Sequence, residues 1–510
     1  MTTETPPPGG FLEPILTLAC DRPERVFARF DGEALRFGDL DRRTAALAAG
    51  LTARGLRPGA VVAVMLRNSL DAVLTILALA RAGMVWVPVN AQAQGPGLRH
   101  ILDHSDPALV IAEPDLAPAI AACGAGARPL LRRGAELQAL LDGPAAPATP
   151  PPAPDARFAL MYTSGTTGPA KGVPVTHRMM RIAAEGVAQV TDARPGDVMF
   201  MWEPLYHIGG AQMLGLPGLV DVELAMTASF SARRFWGQVA ASRATHVHYL
   251  GGILQILLKQ PDSPEERATR LRVLWGGGCP AEVFEAARAR WGFAIRECYG
   301  MTEMSSITTV SDGGTAGVVG KPLPWFDVSI RDAQGRALPT GARGEIVVET
   351  RDPGAFFAGY HQNPEATRKT LRAGRLHTGD VGSLDDSGTL RFHGRLSDAL
   401  RIRGENVSAW EIEHVVTSHP DVADCAVTAT AAEIGEQEAV LHVQPRAGAA
   451  LDPATLAAWL EPRLARYQLP RYFRLVEGFP RTPSQRIMKH KLPQGHDGAW
   501  DRLARTEVTR

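Results

Sequence analysis

Lysine is scarce in this chain of 510 residues: only Lys171, Lys259, Lys321, Lys369, Lys489 and Lys491 occur, so arginine supplies most of the 54 basic side chains. Net charge is missing too. The 54 acidic residues balance the basic ones, which excludes a field able to recruit nucleic acid or an anionic membrane. Cysteine is limited to Cys20, Cys123, Cys279, Cys298 and Cys425, scattered and odd in number. That pattern excludes a disulfide framework or a paired-thiol metal site and fits reduced thiols in a cytoplasmic protein. No membrane span is expected, because the longest apolar stretch, residues 72–89, is interrupted by Arg81 and Gly83 and reads as a helix followed by a strand. Residues 1–10 are polar and proline-rich, without the basic-then-apolar order of a secretory signal.

What is present is apolar material in alternating patterns. At 45% hydrophobic the chain can bury a large core, and at about 150 residues per unit it divides into roughly three or four lobes. Strand-like runs at 61–66, 85–89 and 109–112 alternate with helix-like runs at 70–82 and 98–104, which predicts βαβ units and a parallel sheet. The fold class is therefore α/β. Residues 143–155 are so rich in Pro and Ala that they are expected to join two sublobes of a large domain. Thr176 is positioned to cap the helix after it. Beyond Asp398 the pattern shrinks to a strand at 399–402, a helix at 410–418, strands near 427 and 443, and a helix at 454–465. The boundary is drawn between residues 1–397 and a smaller α+β unit, 398–510.

The most informative segment is Tyr162-Thr163-Ser164-Gly165-Thr166-Thr167-Gly168-Pro169-Ala170-Lys171-Gly172, directly after the apolar run 158–161. Small residues let backbone N–H groups approach an anion, and hydroxyls and an ammonium stand beside them, so the segment suits phosphate. It is not a Walker loop, because Gly172 rather than Ser or Thr follows Lys171. The string resembles the signature loop of the adenylate-forming superfamily: acyl-CoA synthetases, aryl-CoA ligases, luciferases and peptide-synthetase adenylation domains. Further strings resemble that family's motifs in the family's order. They are Pro204-Leu205-Tyr206-His207-Ile208-Gly209-Gly210, Gly276-Gly277-Gly278-Cys279-Pro280, Tyr299-Gly300-Met301-Thr302-Glu303, Gly344-Glu345-Ile346 with Gly359-Tyr360, and His377-Thr378-Gly379-Asp380. Gly394-Arg395-Leu396-Ser397-Asp398, Arg403-Gly404-Glu405-Asn406-Val407 and the run 480–489 complete the set. The segments 297–306 and 320–325 look most like the crotonobetaine/carnitine-type CoA ligases.

The resemblance implies a large N-terminal domain with parallel-rich sheets and a small mobile lid. It also implies ATP-dependent activation of a carboxylic acid to an acyl-adenylate, with Mg²⁺, and transfer to coenzyme A with release of AMP and pyrophosphate. Thr163, Ser164, Gly165, Thr166, Thr167 and Lys171 would wrap the β- and γ-phosphates. Thr302 would donate to the α-phosphate, and Glu303, a hard oxygen ligand, would hold Mg²⁺. Gly276, Gly277 and Gly278 would pass under the adenine, with Tyr299 and Gly300 against it, and Asp380 and Arg395 would bind the ribose. Trp202, Tyr206, His207, Tyr249, Trp275 and Met304 would shape an acyl pocket for an aryl or medium-sized acid, or an aromatic cage for a quaternary ammonium. His207 reads either as a gating and positioning residue or as a satisfied core histidine. Asp398 matches the hinge, and Gly404 the loop lining the thiol tunnel.

Two departures stand out. The family's last motif ends in Gly-Lys, where this chain has Gln485-Arg486. Arginine keeps the charge of the lysine that bridges substrate carboxylate and α-phosphate, but its planar fork is wider. Lys489 is a second cation of the same motif. Glu297 stands where the family often has an amide. Two rival readings stay open: an enzyme that loads a carrier protein, and a nucleotide-binding pseudoenzyme. A homodimer is also left open.

Overall fold

A computed structural model of the chain describes residues 9–145, 150–163, 170–250, 252–396, 399–402, 405–432, 437–464, 468–482 and 486–504. The βαβ expectation holds: strands Val61–Met65, Val85–Pro88 and Leu109–Ala112 alternate with helices Leu70–Arg81 and Gly95–Ser105. Their strands pair in parallel, and every strand residue except Val61 is buried, as a sheet covered on both faces requires.

These strands lie in a six-stranded sheet with Leu130–Arg132, Arg157–Thr163 and Lys171–Thr176. Val85–Pro88 and Arg157–Thr163 are neighbours in it, with Trp86 opposite Ala159. The strands on either side of residues 143–155, Leu130–Arg132 and Arg157–Thr163, thus lie in one sheet. Proline and alanine signal irregular backbone there, but backbone irregularity does not say which sheet the next strand joins.

A nine-stranded sheet forms the second layer. Its central strands, Ala294–Tyr299, Val273–Gly277, His246–Leu250, Val198–Met201 and Glu223–Met226, run parallel. The helix His177–Thr191 is buried on nearly all sides, and it packs with both sheets in the main core cluster. Thr176 caps it by accepting a hydrogen bond from the Met179 N–H at 3.1 Å.

A third, largely antiparallel sheet holds Phe326–Arg331, Gly344–Thr350, Leu371–Arg372, Arg375–Leu384 and Leu390–Arg395. After it come the hairpin Ala399–Ile402 with Glu405–Ser408, the helix Ala409–Thr417, and a four-stranded sheet with its own core cluster. The helix expected at 454–465 runs Pro453–Leu460. Pro462 lacks the N–H that would continue the ladder and restricts Glu461 before it. Polar contacts join this unit to the large one: the Lys259 ammonium donates to the Ala423 carbonyl at 2.6 Å, and Gln255 to the Thr417 carbonyl at 3.4 Å. His414 lies 3.3 Å from Glu282.

Candidate active site

The phosphate-type loop begins and ends on paired strands. Thr163 closes one and Lys171 opens the next, and the two are opposite each other in register. Ser164, Gly165, Thr166 and Thr167 lie outside the described residues. The Lys171 ammonium sits 4.2 Å from the centroid of the Tyr360 ring, a cation–π distance. The Tyr360 hydroxyl donates to Glu303 Oε1 at 2.7 Å. Burial pushes the Glu303 carboxyl above its usual range, and the Tyr360 hydrogen bond with the charges of Lys171 and Arg395 pulls it back.

Thr302 and Glu303 form a short buried turn immediately after the Tyr299-Gly300 strand end. Gly300 is obligatory there, since a Cβ would lie 1.9 Å from the Ser306 carbonyl oxygen. The Tyr299 hydroxyl donates to Asp380 Oδ2 at 2.7 Å, and the Arg395 Nε stands 3.2 Å from Asp380 Oδ1. Asp380 and Arg395 are register partners on adjacent strands, so the ladder itself fixes the pair. Lys171, Tyr360, Glu303, Tyr299, Asp380 and Arg395 thus form one connected cluster.

The turn Gly276-Gly277-Gly278 follows the strand beside it. At Gly276 a Cβ would fall 1.9 Å from the Tyr249 carbonyl oxygen, so only glycine lets these backbones approach. Glu297 anchors the turn: its Oε1 accepts from the Cys279 N–H at 2.8 Å and from the Tyr249 hydroxyl at 2.9 Å. Burial pushes its carboxyl up to about 7, against the pull of those two donors.

His207 starts a short helix, and its Nε2 has no hydrogen-bond partner among the described residues. Burial lowers its proton affinity, Glu203 raises it and Arg486 lowers it further. Arg486, near the end of the chain, therefore acts at His207 electrostatically. Its backbone N–H donates to the Thr482 hydroxyl at 3.1 Å, and the Thr482 N–H donates to the Arg486 carbonyl at 2.8 Å. Lys489 turns away into an ion pair with Glu413 at 2.8 Å inside the small unit. Asp398 and Gly404 lie outside the described residues.

Four of the six residues expected to shape an acyl pocket divide between two packing clusters. Trp202 and Tyr249 belong to an aromatic cluster with Phe200 and Phe235, whereas Trp275 and Met304 belong to the main core with Met179 and Met180. Strand alternation is the reason: Phe200 and Trp202 point one way, Met199 and Met201 the other. Trp202 is further fixed by donating to the His248 carbonyl at 2.6 Å. Tyr206 remains beside His207, with ring centroids 4.8 Å apart. Tyr360, Glu203 and His248 join the site through the fold: Tyr360 bonds Glu303, and His248 stands 2.8 Å from Glu203. Tyr360 was legible as part of a motif, and Glu203 as a carboxylate at the end of an apolar strand.

The chain belongs to the family of AMP-binding enzymes: the family's main model matches residues 18–361 and its C-terminal-domain model residues 411–486. A sulfoacetate–CoA ligase of Cupriavidus necator is 33% identical, over 90% of this chain and 92% of that protein. A crotonobetaine/carnitine–CoA ligase of Citrobacter koseri is 30% identical, over 86% and 89%. Among solved structures, ATP-bound MatB from Rhodopseudomonas palustris superposes with a TM-score of 0.85 at 27% identity, covering 94% of this chain and 97% of that one. Apo MatB superposes at 0.75. No helix among the described residues is long and apolar enough to cross a membrane.

Proposed function

We propose that this protein is an AMP-forming acid–CoA ligase: it activates a small carboxylic acid with ATP as the acyl-adenylate and passes the acyl group to the thiol of coenzyme A. The observation that carries the reading is the single cluster joining Lys171, Glu303, Asp380 and Arg395 through Tyr360 and Tyr299. When a carboxylate oxygen attacks the α-phosphorus of ATP and pyrophosphate leaves, negative charge must be offset by fixed cations and donors. Lys171 supplies one cation at the mouth of the phosphate loop, with Thr163 and, outside the described residues, Ser164 to Thr167 as donors. Thr302 donates to the α-phosphate. Asp380 and Arg395 take the ribose hydroxyls, and Gly276 to Gly278 with Tyr299 and Gly300 bound the adenine.

Mg²⁺ fits Glu303. Its carboxylate is a hard oxygen donor, one oxygen is steadied by Tyr360, and no group of three metal-binding side chains exists among the described residues. A lone carboxylate beside substrate phosphates is the usual way this ion is held. Bound there, it would neutralise charge on the departing pyrophosphate.

His207 is kept neutral at neutral pH by its burial, so it positions the acid, and the cation near the attacking carboxylate is Arg486. The better superposition on ATP-bound than on apo MatB supports a nucleotide-engaged placement of the small unit. Domain alternation about Asp398, with Gly404 lining the thiol path and the boundary near 397–398, completes the cycle. The test is pyrophosphate release from a panel of acids with and without CoA, with mass spectrometry of the product. Acid- and CoA-dependent acyl-CoA is expected. Release and loading onto a carrier protein alone, or silence with every acid despite ATP binding, would overturn the ligase reading.

A further inference from the structure

Beside His207 lies a buried carboxylate that none of these roles uses. Glu203, 3% exposed, follows the strand Val198–Met201 and lies against Gly209, where a Cβ would stand 2.3 and 2.5 Å from its two carboxylate oxygens. His248 Nδ1 is 2.8 Å from Glu203 Oε2, but the two are not aligned for a hydrogen bond. No donor among the described residues hydrogen-bonds this carboxylate. The backbone around it is fixed: Asn68 donates to the Glu203 carbonyl at 3.0 Å and accepts from the Leu205 N–H at 3.0 Å. The His248 ring lies 4.2 Å from that of Trp275. The charge of Glu203 reaches both Tyr206 and His207.

A buried acceptor without a donor is costly, and a preorganised one favours whichever ligand supplies the missing donor. This inference rests on the acid-activating reading of the same site. We propose that Glu203 is a specificity-determining residue, and that the acid activated here carries an O–H or N–H donor at its distal end that bonds to the Glu203 carboxylate. A methyl-ended acid leaves the acceptor unsatisfied, and an acid with a second carboxylate or a sulfonate meets a like charge. Sites built to bond a substrate hydroxyl or amine reject the analogue lacking it far more strongly than apolar pockets reject a missing methylene.

The test uses four acids of equal length ending in hydroxyl, amine, methyl or a second carboxylate. Each is titrated into the full chain by calorimetry and separately supplied with ATP, Mg²⁺ and CoA in the pyrophosphate assay. The donor-ended acids are expected to exceed the methyl acid about tenfold or more in affinity and in kcat/KM, with the dicarboxylate weakest. Glu203→Leu should bring the donor-to-methyl ratio to about one. Glu203→Gln, which keeps an acceptor without charge, should retain the hydroxyl preference and lose the amine preference. Gly209→Ala, which displaces the carboxylate, should lower the same ratio and guards against misfolding of the leucine variant. An unchanged ratio in Glu203→Leu, or no donor preference in the native chain, overturns the proposal. Turnover without donor preference overturns it and leaves the ligase reading standing. Donor-selective binding with no pyrophosphate from any acid does the reverse, and absence of both binding and turnover overturns both.

Discussion

Replacing Glu297 by glutamine should make the protein more stable above neutral pH. The carboxyl is 3% exposed and accepts from the Cys279 N–H and the Tyr249 hydroxyl. Burial nevertheless dominates and raises its pKa from 4.5 to about 7. The folded state therefore holds this proton more tightly than the unfolded chain does. The stabilisation is complete below pH 4.5 and is lost as pH rises through about 7. At about 1.36 kcal/mol per pKa unit, the loss by pH 8 is up to about 3 kcal/mol. Glutamine carries no titrating proton and keeps an oxygen for both donors, at a cost of about 1 kcal/mol for placing its amide N–H groups. The variant should be about 1 kcal/mol weaker at pH 4.5 and about 2 kcal/mol stronger at pH 8. In a body of this size that is a shift of only a few degrees in melting temperature. Scanning calorimetry of both proteins from pH 4 to 9 reads the difference, in which every other titrating group cancels. Parallel curves would refute the assignment of Glu297 as a protonated buried acid.

Tyr360→Phe keeps the ring under Lys171 but removes the 2.7 Å hydrogen bond to Glu303. ATP affinity should change less than about threefold, while the Mg²⁺ concentration for half-maximal pyrophosphate release rises roughly tenfold, the usual effect of losing a ligand's supporting bond. Lys171→Ala should raise the KM for ATP about tenfold or more, because it removes the cation proposed to face the phosphates, and initial-rate measurements at varied ATP check this. Arg486→Lys should speed adenylation, measured as single-turnover acyl-AMP formation, because a compact ammonium fits between two oxyanions better than a guanidinium fork. A slower rate would mean that the arginine is adapted to this site. Burial lowers His177 from 6.5 to about 4. Its contribution is complete above pH 6.5 and lost as pH falls through about 4, by up to about 3 kcal/mol. His177→Phe, which keeps the stacking on Phe11 at 5.4 Å, should flatten the acid side of the melting-temperature profile.

The elements with strong periodicity were legible in the sequence, and so were the ends fixed by local chemistry. Leu70–Arg81 follows its apolar pattern, and Thr176 caps its helix through a bond that only a nearby N–H can make. The Asp380–Arg395 pair was readable as two motifs, and the ladder turned them into neighbours. What the sequence hid is what depends on sheet assembly. Residues 143–155 look like a joint, yet the strand after them pairs with Val85–Pro88. Trp202 and Trp275 look equally suited to a pocket, but pleat parity on two separate strands sends them into different clusters. Glu203 meets His248 across strands 45 positions apart in the chain, a distance no local pattern encodes.

The cations of the proposed site come from two parts of the chain, Lys171 and Arg395 from one and Arg486 from the other, and this division has a physical consequence. Lys171 and Arg395 lie in the large unit and, with Glu303 and Asp380, would keep their contacts in any movement of the small unit. Arg486 belongs to the small unit, and its charge reaches His207 only while that unit is docked. The docking contacts given by Lys259, Gln255 and His414 are polar and involve two backbone carbonyls, and such interfaces separate at modest cost because water replaces each bond. Withdrawal of the small unit would remove positive charge from the acyl end of the site while leaving the nucleotide end held. In the proposed reaction that change would suit the second step, since a carboxylate facing Arg486 would by then be a neutral acyl group open to a thiol.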